Sequence, residues 1–198
     1  MTATAPKPAT AEFLAHLERS PCCAAVLSDA QLELALASGV RIVFVLRGNG
    51  LALAPVITRI HDAGKLATVH LDLVDGVRAD PRGVAWLARL GADAIITSHG
   101  RLMPVIRQSG AIAILRLLLS RRTHLDTAFT AVSRAGPDII EILPGVLLPM
   151  LRGRMPDFGV PLLAGGFIRT EADAEDVLKA GAAGITTSSP NLWGLHAG

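Results

Sequence analysis

Several residue types are scarce in this chain of 198 residues, and each shortage excludes a class of structure. Tyrosine is absent and aromatic residues make up 4% of the total, so side chains that could stack on nucleic-acid bases are few. The two cysteines, Cys22 and Cys23, are adjacent on a predicted strand, where neighbouring side chains point to opposite faces. We therefore expect two buried thiols rather than a disulfide. No Cys/His spacing resembles a zinc site, so no metal or other cofactor is predicted.

Long apolar runs are missing as well, although the mean hydropathy is +0.45. A membrane-spanning helix needs about 18–20 consecutive apolar residues, and Arg116 divides the best candidate. The first ten residues are rich in Ala, Thr and Pro and have no apolar centre, which excludes a secretory signal. We read residues 1–12 as a flexible tail. The sequence thus predicts a cytosolic protein that makes no membrane contact.

What the chain does have is aliphatic residues: 51% of residues are hydrophobic and 18% are charged, which suits one folded domain. Short apolar runs alternate with helical patterns along the whole chain. Because each run is apolar throughout, we expect strands that are buried on both faces, as in a parallel sheet. Eight strands are predicted, at Cys23–Leu27, Ile42–Leu46, Ala67–Leu71, Ala94–Ile96, Ile112–Leu117, Ile139–Leu143, Pro161–Ala164 and Gly184–Thr187.

Eight helical segments fit between and after these strands, and several end before a glycine, which suits the residue that follows a helix. They are predicted at Ser28–Ser38, Leu51–Ala63, Pro81–Leu90, Arg101–Ser109, Leu125–Ala135, Val146–Arg152, Thr170–Ala180 and Pro190–Leu195. Eight strand–helix units favour an α/β fold, a short single-domain (β/α)8 barrel of the TIM type over residues 13–198. The alternative is a doubly wound open sheet, which requires a glycine-rich loop after its first strand. The residues after Leu27 offer none.

The last two predicted strands each end in a turn of small residues that leads into a helix. The first turn contains Gly165 and Gly166, and the second contains Thr187 and Ser188. Small side chains let backbone N–H groups approach an anion, and helix N-termini carry partial positive charge. Two such turns after strands seven and eight are typical of the phosphate site of a (β/α)8 barrel. The sequence therefore predicts that the chain holds a phosphorylated small molecule.

Polar residues also interrupt other strands near their C-terminal ends, where the site of such a barrel lies. His70 and Asp72 are two residues apart at the end of the third predicted strand, so we expect them on one side of it. Arg116 lies within the fifth strand, and Glu141 within the sixth is its obvious partner, since a buried arginine is costly unless paired. This pair serves the structure, the ligand, or both.

Charge is unevenly distributed along the chain. The net charge is +2, yet residues 99–154 contain eight arginines and three acidic residues, a local net charge of +5. This excess indicates either a basic binding face or ordinary solvated helix surface. The lysines are Lys7, Lys65 and Lys179, and none follows a predicted strand, where a Schiff-base lysine would lie. No catalytic residue is predicted.

At these residues the chain resembles a known family. In chain order, the motifs that carry the resemblance are His70-Leu-Asp-Leu, Ile95-Ile-Thr-Ser, Pro137-Asp-Ile-Ile-Glu-Ile-Leu-Pro-Gly, Ala164-Gly-Gly-Phe-Ile and Thr186-Thr-Ser. They resemble those of the glycerol-3-phosphate-responsive antiterminators, regulators of bacterial glycerol uptake operons. The resemblance extends from about Leu14 to Trp193 and so covers nearly the whole chain.

The resemblance implies a barrel that binds glycerol 3-phosphate as an effector and then binds leader mRNA, so that the leader no longer terminates transcription. It implies no catalysis. The family's ligand-facing positions correspond here to His70, Asp72, Arg116, Glu141, Gly165, Gly166, Thr187 and Ser188. The chain departs from the family pattern at His99, where a basic residue is usual. It also lacks the Phe and Asp that follow Arg116 in the family, and two arginines appear instead.

No RRM, KH or zinc-knuckle signature marks a surface for RNA. The candidate RNA contacts are four arginines of the basic segment: Arg121, Arg122, Arg152 and Arg154. A ligand-gated RNA-binding regulator is therefore the favoured function. The alternatives are a small barrel enzyme acting on a phosphorylated metabolite and a barrel with a purely structural role, because fold alone does not choose between them. The sequence leaves the oligomeric state open.

Overall fold

The computed structural model describes residues 8–119 and 125–195, so Arg121 and Arg122 lie outside the described residues. Eight parallel strands form a closed barrel in which each strand pairs with its neighbours in the sequence and the first pairs with the last. They are β1 (Cys22–Val26), β2 (Ile42–Val45), β3 (Leu66–His70), β4 (Ala94–Thr97), β5 (Ile112–Leu118), β6 (Ile139–Leu143), β7 (Leu162–Gly165) and β8 (Gly184–Thr187). The predicted barrel is confirmed, and its strands end within one residue of the expected positions.

The hydrophobic core has two layers, because side chains alternate between the two faces of each strand. One set points into the barrel and fills its centre, as Phe44 and Ile114 do. The other set points outwards and packs under the helices, as Ile95 and Ile140 do. Since both faces are covered, the strands are apolar along their whole length, which is the pattern the sequence showed.

Eight α-helices lie within the described residues and surround the barrel. They are α1 (Pro8–Arg19), α2 (Asp29–Ala37), α3 (Leu53–Asp62), α4 (Pro81–Arg89), α5 (Met103–Gln108), α6 (Leu125–Ala135), α7 (Leu148–Leu151) and α8 (Glu171–Lys179). Helices α2–α8 follow β1–β7 in turn, as predicted. Ser28, Asp80 and Thr170 begin α2, α4 and α8 by accepting hydrogen bonds from first-turn N–H groups. In the described ranges, no helix has the length and apolar character needed to cross a membrane.

The N-terminal segment differs from the prediction. Residues 8–12 belong to α1 rather than to a flexible tail, so the expected domain boundary at residue 13 falls inside a helix. Phe13 and Leu17 of α1 belong to the buried cluster that fills the barrel, and Leu17 lies against Gly184 at the start of β8. The helix therefore covers the end of the barrel where the strands begin. Its Ala/Thr/Pro composition hid it, although the spacing of Phe13 and Leu17 was a helical signal.

Two predicted helices are shorter than expected. The segment Val146–Arg152 contains only α7, flanked by the 3₁₀ turns Gly145–Leu147 and Arg152–Arg154. The predicted helix Pro190–Leu195 is a single 3₁₀ turn at Pro190–Leu192. Trp193 donates its indole N–H to the Thr187 carbonyl at 2.9 Å, which ties the chain back to the end of β8 instead of letting it continue as a helix.

Candidate functional site

The C-terminal ends of the strands surround a cavity of about 370 Å³. Its lining comes mainly from β5, β6, β8 and the turns after β7 and β8. Of the predicted ligand residues, the lining includes Arg116, Glu141, Gly166, Thr187 and Ser188. The structure thus brings five of the eight predicted residues to one cavity, and its volume suits a small molecule.

An ion pair between neighbouring strands forms one side of this cavity. Arg116 of β5 lies opposite Glu141 of β6 in the barrel register, and Arg116 Nε is 2.5 Å from Glu141 Oε2. Glu141 is fully buried, and its Oε1 accepts a hydrogen bond from Thr186 Oγ1 at 2.6 Å. The predicted ion pair is confirmed. Because both carboxylate oxygens are engaged, the Arg116 guanidinium is held in one position beside the cavity.

Gly165 leaves room for this ion pair. A Cβ atom on Gly165 would lie 2.8 Å from Glu141 Oε1 and would collide with the Thr186 hydroxyl. Gly145, after β6, packs against the same part of β7, and a Cβ atom there would lie 2.5 Å from Gly165 N. Any larger residue at either position would displace β7 or the carboxylate, so both glycines are explained by close packing.

The turn after β7 contains two consecutive residues with positive φ, Gly166 at 81° and Phe167 at 60°. The left-handed region suits glycine but is unfavourable for a bulky side chain, and such strain concentrates at functional sites. Phe167 is 65% exposed and lines the cavity. A Cβ atom on Gly166 would approach Leu143 Cδ1 to 3.1 Å. The turn therefore brings its backbone close to the cavity at a position where a side chain would be strained.

The Thr187 side chain supports the turn after β8. Its hydroxyl donates to the Ile168 carbonyl at 2.9 Å and accepts a hydrogen bond from the Ser189 N–H at 3.2 Å. Within residues 8–119 and 125–195, no protein group accepts a hydrogen bond from the Ser188 N–H. Ser188 also lines the cavity. A backbone N–H without an acceptor is the kind of group that binds an anion.

The charged side chains in the cavity lining are Arg116, Glu141 and Arg169. The single carboxylate is paired with Arg116, so Arg169 adds an excess positive charge beside the two small-residue turns. A concave site with excess positive charge attracts anions. The electrostatics of the cavity therefore suit a small anionic ligand.

His70, at the end of β3, is buried next to Arg116. Among the described residues, neither ring nitrogen has a hydrogen-bond partner, and the side chain is 2% exposed. Burial and the charge of Arg116 lower the pKa of His70 from its ordinary 6.5 to about 4, so the imidazole is neutral at pH 7. A neutral imidazole has one donor and one acceptor nitrogen. The described part of the chain leaves both nitrogens without a partner.

The position of Asp72 corrects the sequence prediction. β3 ends at His70, and Asp72 lies beyond it in the 3₁₀ turn Leu71–Leu73, so the two residues do not share a strand face. The Asp72 carboxylate accepts hydrogen bonds from the Thr97 hydroxyl and, at 2.8 Å, from the Ser98 N–H. Burial raises the pKa of Asp72, but these hydrogen bonds outweigh it and hold the pKa below its ordinary value. Asp72 stabilises the turn after β4 and is not among the residues that line the cavity.

Two of the four predicted RNA contacts fall within the described residues. Arg121 and Arg122 lie outside the described residues. Arg152 and Arg154 belong to the 3₁₀ turn that leads back towards the start of β7. A Cβ atom on Gly181, in the turn before β8, would lie 2.8 Å from Arg152 Nη1. Arg152 and Arg154 are therefore near the end of the barrel opposite the cavity.

The list of ligand residues predicted from the sequence lacked other residues of the cavity lining, among them Thr186, Phe167 and Arg169. Thr186 and Thr187 are consecutive, and only the barrel register decides that Thr186 reaches Glu141 inside the barrel. Arg169 directly follows the Ala164–Ile168 motif. A basic residue next to a turn of small residues was a signal for an anion site that could have found it.

Comparison with known proteins decides the family. Residues 22–193 match the family described as glycerol-3-phosphate responsive antiterminator. The chain belongs to this family. The uncharacterized protein YgcP of Escherichia coli (strain K12) is 32% identical over 184 residues, which cover 92% of this chain and 96% of YgcP.

Two solved structures of related proteins share the fold and significant identity. A glycerol uptake operon antiterminator-related protein from Thermotoga maritima is 27% identical with a TM-score of 0.79, covering 88% of this chain and 98% of its own. A glycerol uptake operon antiterminator regulatory protein from Listeria monocytogenes is 25% identical with a TM-score of 0.82, covering 87% and 94%. The resemblance to the antiterminator family is thereby confirmed over nearly the whole length of each protein.

The antiterminator motifs in this chain now have structural explanations. Glu141 and Gly145 belong to the motif that begins at Pro137, and Gly165 and Gly166 belong to the motif that begins at Ala164. Glu141, Gly145 and Gly165 form the side of the cavity that contains the ion pair. In the part of the chain that the structure describes, no group of three or more His, Cys, Asp or Glu side chains comes together to hold a metal ion.

Proposed function

We propose that the protein is a glycerol-3-phosphate-responsive transcription antiterminator. It binds the leader mRNA of a glycerol-utilisation operon when glycerol 3-phosphate occupies the cavity at the strand ends. The observation that carries this proposal is the cavity, which combines two small-residue turns, a fixed ion pair and excess positive charge in a member of the antiterminator family. The proposal places the protein in the cytosol, where the leader is transcribed.

The phosphate group is assigned to the turns after β7 and β8. Gly166 and Ser188 line the cavity, and the Ser188 N–H has no acceptor among the described residues. Arg169 adds a positive charge on the same side. Small residues let phosphate oxygens come within hydrogen-bond distance of these N–H groups.

The glycerol hydroxyls are assigned to the side of the cavity formed by Arg116 and Glu141. The guanidinium is fixed by the carboxylate, so it offers its donors in a defined position. The unused nitrogens of His70, next to Arg116, support a further hydrogen bond. The carboxylate of Asp72 is engaged by the turn after β4, so we assign it to holding the rim of the site.

The placement of the lysines favours an effector over a substrate. The Lys65 ammonium donates to the carbonyls of Ser38 and Val40, near the end of the barrel where the strands begin. Lys179 pairs with Glu175 on the outer helix α8. Neither is placed to form a Schiff base with a ligand in the cavity. The cavity thus supports recognition of a phosphorylated molecule more strongly than its conversion.

Calorimetry with purified protein tests the effector. A site built to hydrogen-bond hydroxyls leaves its own groups unpaired when the hydroxyls are missing. Glycerol 3-phosphate should therefore bind at least about 100-fold more tightly than ethyl phosphate, which keeps the phosphate but lacks the hydroxyls. Equal affinities would mean that the protein recognises phosphate alone.

An electrophoretic shift with the leader transcript, with and without glycerol 3-phosphate, tests the regulator. If the effector strengthens RNA binding by some factor, RNA must strengthen effector binding by the same factor. The factor measured for RNA binding and the factor measured for effector binding should agree. RNA affinity should also fall as the salt concentration rises, because basic side chains that neutralise RNA phosphates displace counterions. A protein that ignores the leader but consumes a phosphorylated metabolite would be an enzyme.

Two double variants test the arginines predicted from the sequence. Arg121→Ala with Arg122→Ala should weaken RNA binding and reduce its salt dependence while sparing effector affinity, because this change removes two adjacent charges of the basic segment and no residue that lines the effector cavity. Arg152→Ala with Arg154→Ala removes the same charge near the opposite end. A loss confined to the second variant would place the RNA away from the cavity.

A further inference from the structure

A second cavity, separate from the effector cavity, lies on the outer side of the barrel beside α4. It measures about 490 Å³ and is bounded by the turn after β2, the loop after β3 and α4. We call it the Trp86 groove, and its lining includes Leu51, Val77, Arg78, Arg82, Trp86 and Arg89. It contains none of the residues that line the effector cavity.

Helix α4 presents a stripe of cations and one aromatic ring to this groove. Arg82, Trp86 and Arg89 all line it, and their spacing of four and then three residues places them on one face of the helix. Arg82 and Arg89 are therefore about 10 Å apart along the helix axis, with the indole between them. An aromatic side chain flanked by guanidinium groups is the arrangement that binds single-stranded nucleic acids: the base stacks and the neighbouring phosphates pair.

Two acidic residues, Asp75 and Asp80, line the groove together with three arginines, so its lining keeps a net positive charge of one. Asp80 accepts hydrogen bonds from the N–H groups of Arg82 and Gly83 at 2.9 and 3.0 Å, and so caps α4. Its carboxylate also lies 3.3 Å from Arg78 Nε. Among the described residues, neither Arg82 nor Arg89 is in an ion pair, which leaves both guanidinium groups for an external anion.

The floor of the groove is apolar and accessible. Leu51 is 93% exposed, which is unusual for a large aliphatic side chain. Gly50 lets the turn after β2 approach the indole, because a Cβ atom there would lie 3.4 Å from Trp86 Cη2 and 3.0 Å from Val77 Cγ2. The groove therefore offers a flat apolar surface with cations at its rim.

We propose that the Trp86 groove is the RNA-contact surface: it binds a single-stranded segment of the leader, with a base stacked on Trp86 and phosphates on Arg82 and Arg89. This inference rests on the proposed function and specifies where the RNA lies. Charge complementarity favours RNA as the occupant. A second copy of the chain would offer an apolar face but no regular spacing of phosphates for the two arginines.

One short stretch of chain runs from His70, beside the effector cavity, to the edge of the groove. His70 lies next to Arg116, Asp72 holds the turn after β4, and Val74 and Asp75 pair with Gly48 and Asn49 to form the edge of the groove. This connection gives the effector a route to the RNA surface.

Tryptophan fluorescence provides a direct test, because the chain has two tryptophans and they differ sharply in exposure. Trp193 is 1% exposed and hydrogen-bonded inside the protein, whereas Trp86 is half-buried in the groove. Titrating the effector-loaded protein with the leader transcript should quench the fluorescence of Trp86. The quench should disappear in Trp86→Leu, and RNA affinity should fall about ten-fold or more through the lost stacking.

Arg82→Ala with Arg89→Ala should weaken leader binding about ten-fold or more and lower the slope of log affinity against log salt by about 1–2. The matched control is Arg19→Ala with Arg134→Ala, two exposed arginines on α1 and α6, which should stay within about two-fold of the wild type. Calorimetric affinity for glycerol 3-phosphate should be unchanged in both double variants, which verifies that they are folded.

The outcomes separate the groove from the proposed function. If the wild type binds the leader in an effector-dependent way but the groove variants bind it equally well, the groove is not the RNA surface while the regulator stands. If the wild type does not bind the leader even with effector, the proposed function itself fails. If Leu51→Glu changes the molecular mass in sedimentation and RNA binding is unaltered, the groove is an interface between copies and the RNA assignment is wrong.

Discussion

The turn after β4 and the turn after β8 have the same construction but opposite surroundings. Each begins with a threonine whose hydroxyl accepts a hydrogen bond from the N–H two residues later, at 3.1 Å for Thr97 and 3.2 Å for Thr187. Each then enters a three-residue 3₁₀ turn that ends in a buried leucine, Leu102 or Leu192. The backbone of both turns is thus prepared in the same way.

The two turns differ in what faces the serine that follows the threonine. The Ser98 N–H donates to the Asp72 carboxylate, so the turn after β4 already binds an anion that belongs to the protein. The Ser188 N–H has no acceptor among the described residues and lies at the cavity. The turn after β4 shows that this backbone can hold an anion, and on this basis we propose that the turn after β8 holds one from the ligand. A carboxylate from the chain occupies one copy, and the other is left open for a ligand.

The largest expected effect comes from breaking the ion pair beside the open turn. Arg116→Met leaves the fully buried Glu141 without its partner, so we expect the free energy of unfolding to fall by about 3–5 kcal/mol. Adding Glu141→Gln removes the orphaned charge and should restore a large part of the loss. Chemical denaturation measures both variants. The control Arg134→Met, on the exposed surface of α6, should change stability by less than about 0.5 kcal/mol.

The next effect comes from making the open turn resemble the occupied one. Gly166→Asp adds a carboxylate at the cavity and should weaken glycerol 3-phosphate binding by about 100-fold or more, because like charges in contact cost several kcal/mol. Gly166→Ala introduces the same contact with Leu143 and the same backbone strain without the charge. Calorimetry compares the two. An equal loss of affinity in both variants would mean that the space at this turn, and not the added charge, limits ligand binding.

A pH experiment tests the surroundings of His70. Burial and Arg116 lower the pKa of this imidazole to about 4 in the folded protein, against about 6.5 when unfolded. Between these values the unfolded chain binds the extra proton, so stability rises with pH from about 4 to 6.5. The titration of His70 should thus lower the free energy of unfolding by about 2 kcal/mol when the pH falls from 7 to 5. Urea unfolding of His70→Gln should lack this part of the pH dependence, and an identical dependence in both proteins would contradict the assignment.

The smallest expected effect concerns the occupied turn. Asp72→Asn keeps the shape of the side chain but removes the charge of the carboxylate that accepts hydrogen bonds from Ser98 and Thr97. The free energy of unfolding should therefore fall by about 1–2 kcal/mol. Effector affinity should change by less than about three-fold, because Asp72 does not line the cavity. Asp75→Asn is the control on the neighbouring exposed position and should be neutral. A large loss of effector affinity in Asp72→Asn would show that the carboxylate contacts the ligand.

Local patterns were sufficient wherever one segment determines its own structure. The eight strands could be predicted because burial on both faces makes each of them a continuous apolar run. The start of α8 could be predicted because Thr170 and Asp173 are spaced to cap it, and the structure contains that capping box. The pairing of Arg116 with Glu141 could be predicted as well, since neighbouring parallel strands place residues of similar depth side by side.

Local patterns failed where the outcome depends on a distant partner. Residues 8–12 appeared to be a tail because nothing in them indicates that Phe13 and Leu17 fill the end of a barrel. Asp72 was placed on the same strand face as His70 because the two are two residues apart. Its actual position depends on hydrogen bonds from Thr97, at the end of β4, and Ser98, in the turn after it. Which of the adjacent residues Thr186 and Thr187 reaches Glu141 depends on the barrel register, and two adjacent threonines in a sequence do not reveal that register.

The sequence by itself determined the barrel, the end of the barrel that carries the site, and the two small-residue turns, because these follow from periodicity and from residue types that act within a few positions. Only the tertiary structure decided which polar groups remain free for a ligand. Hydrogen bonds from other strand–helix units occupy Asp72 and Glu141, whereas the Ser188 N–H has no acceptor among the described residues, and such bonds join residues far apart in the chain. Partner choice across the barrel is therefore what separates a structural turn from a binding turn.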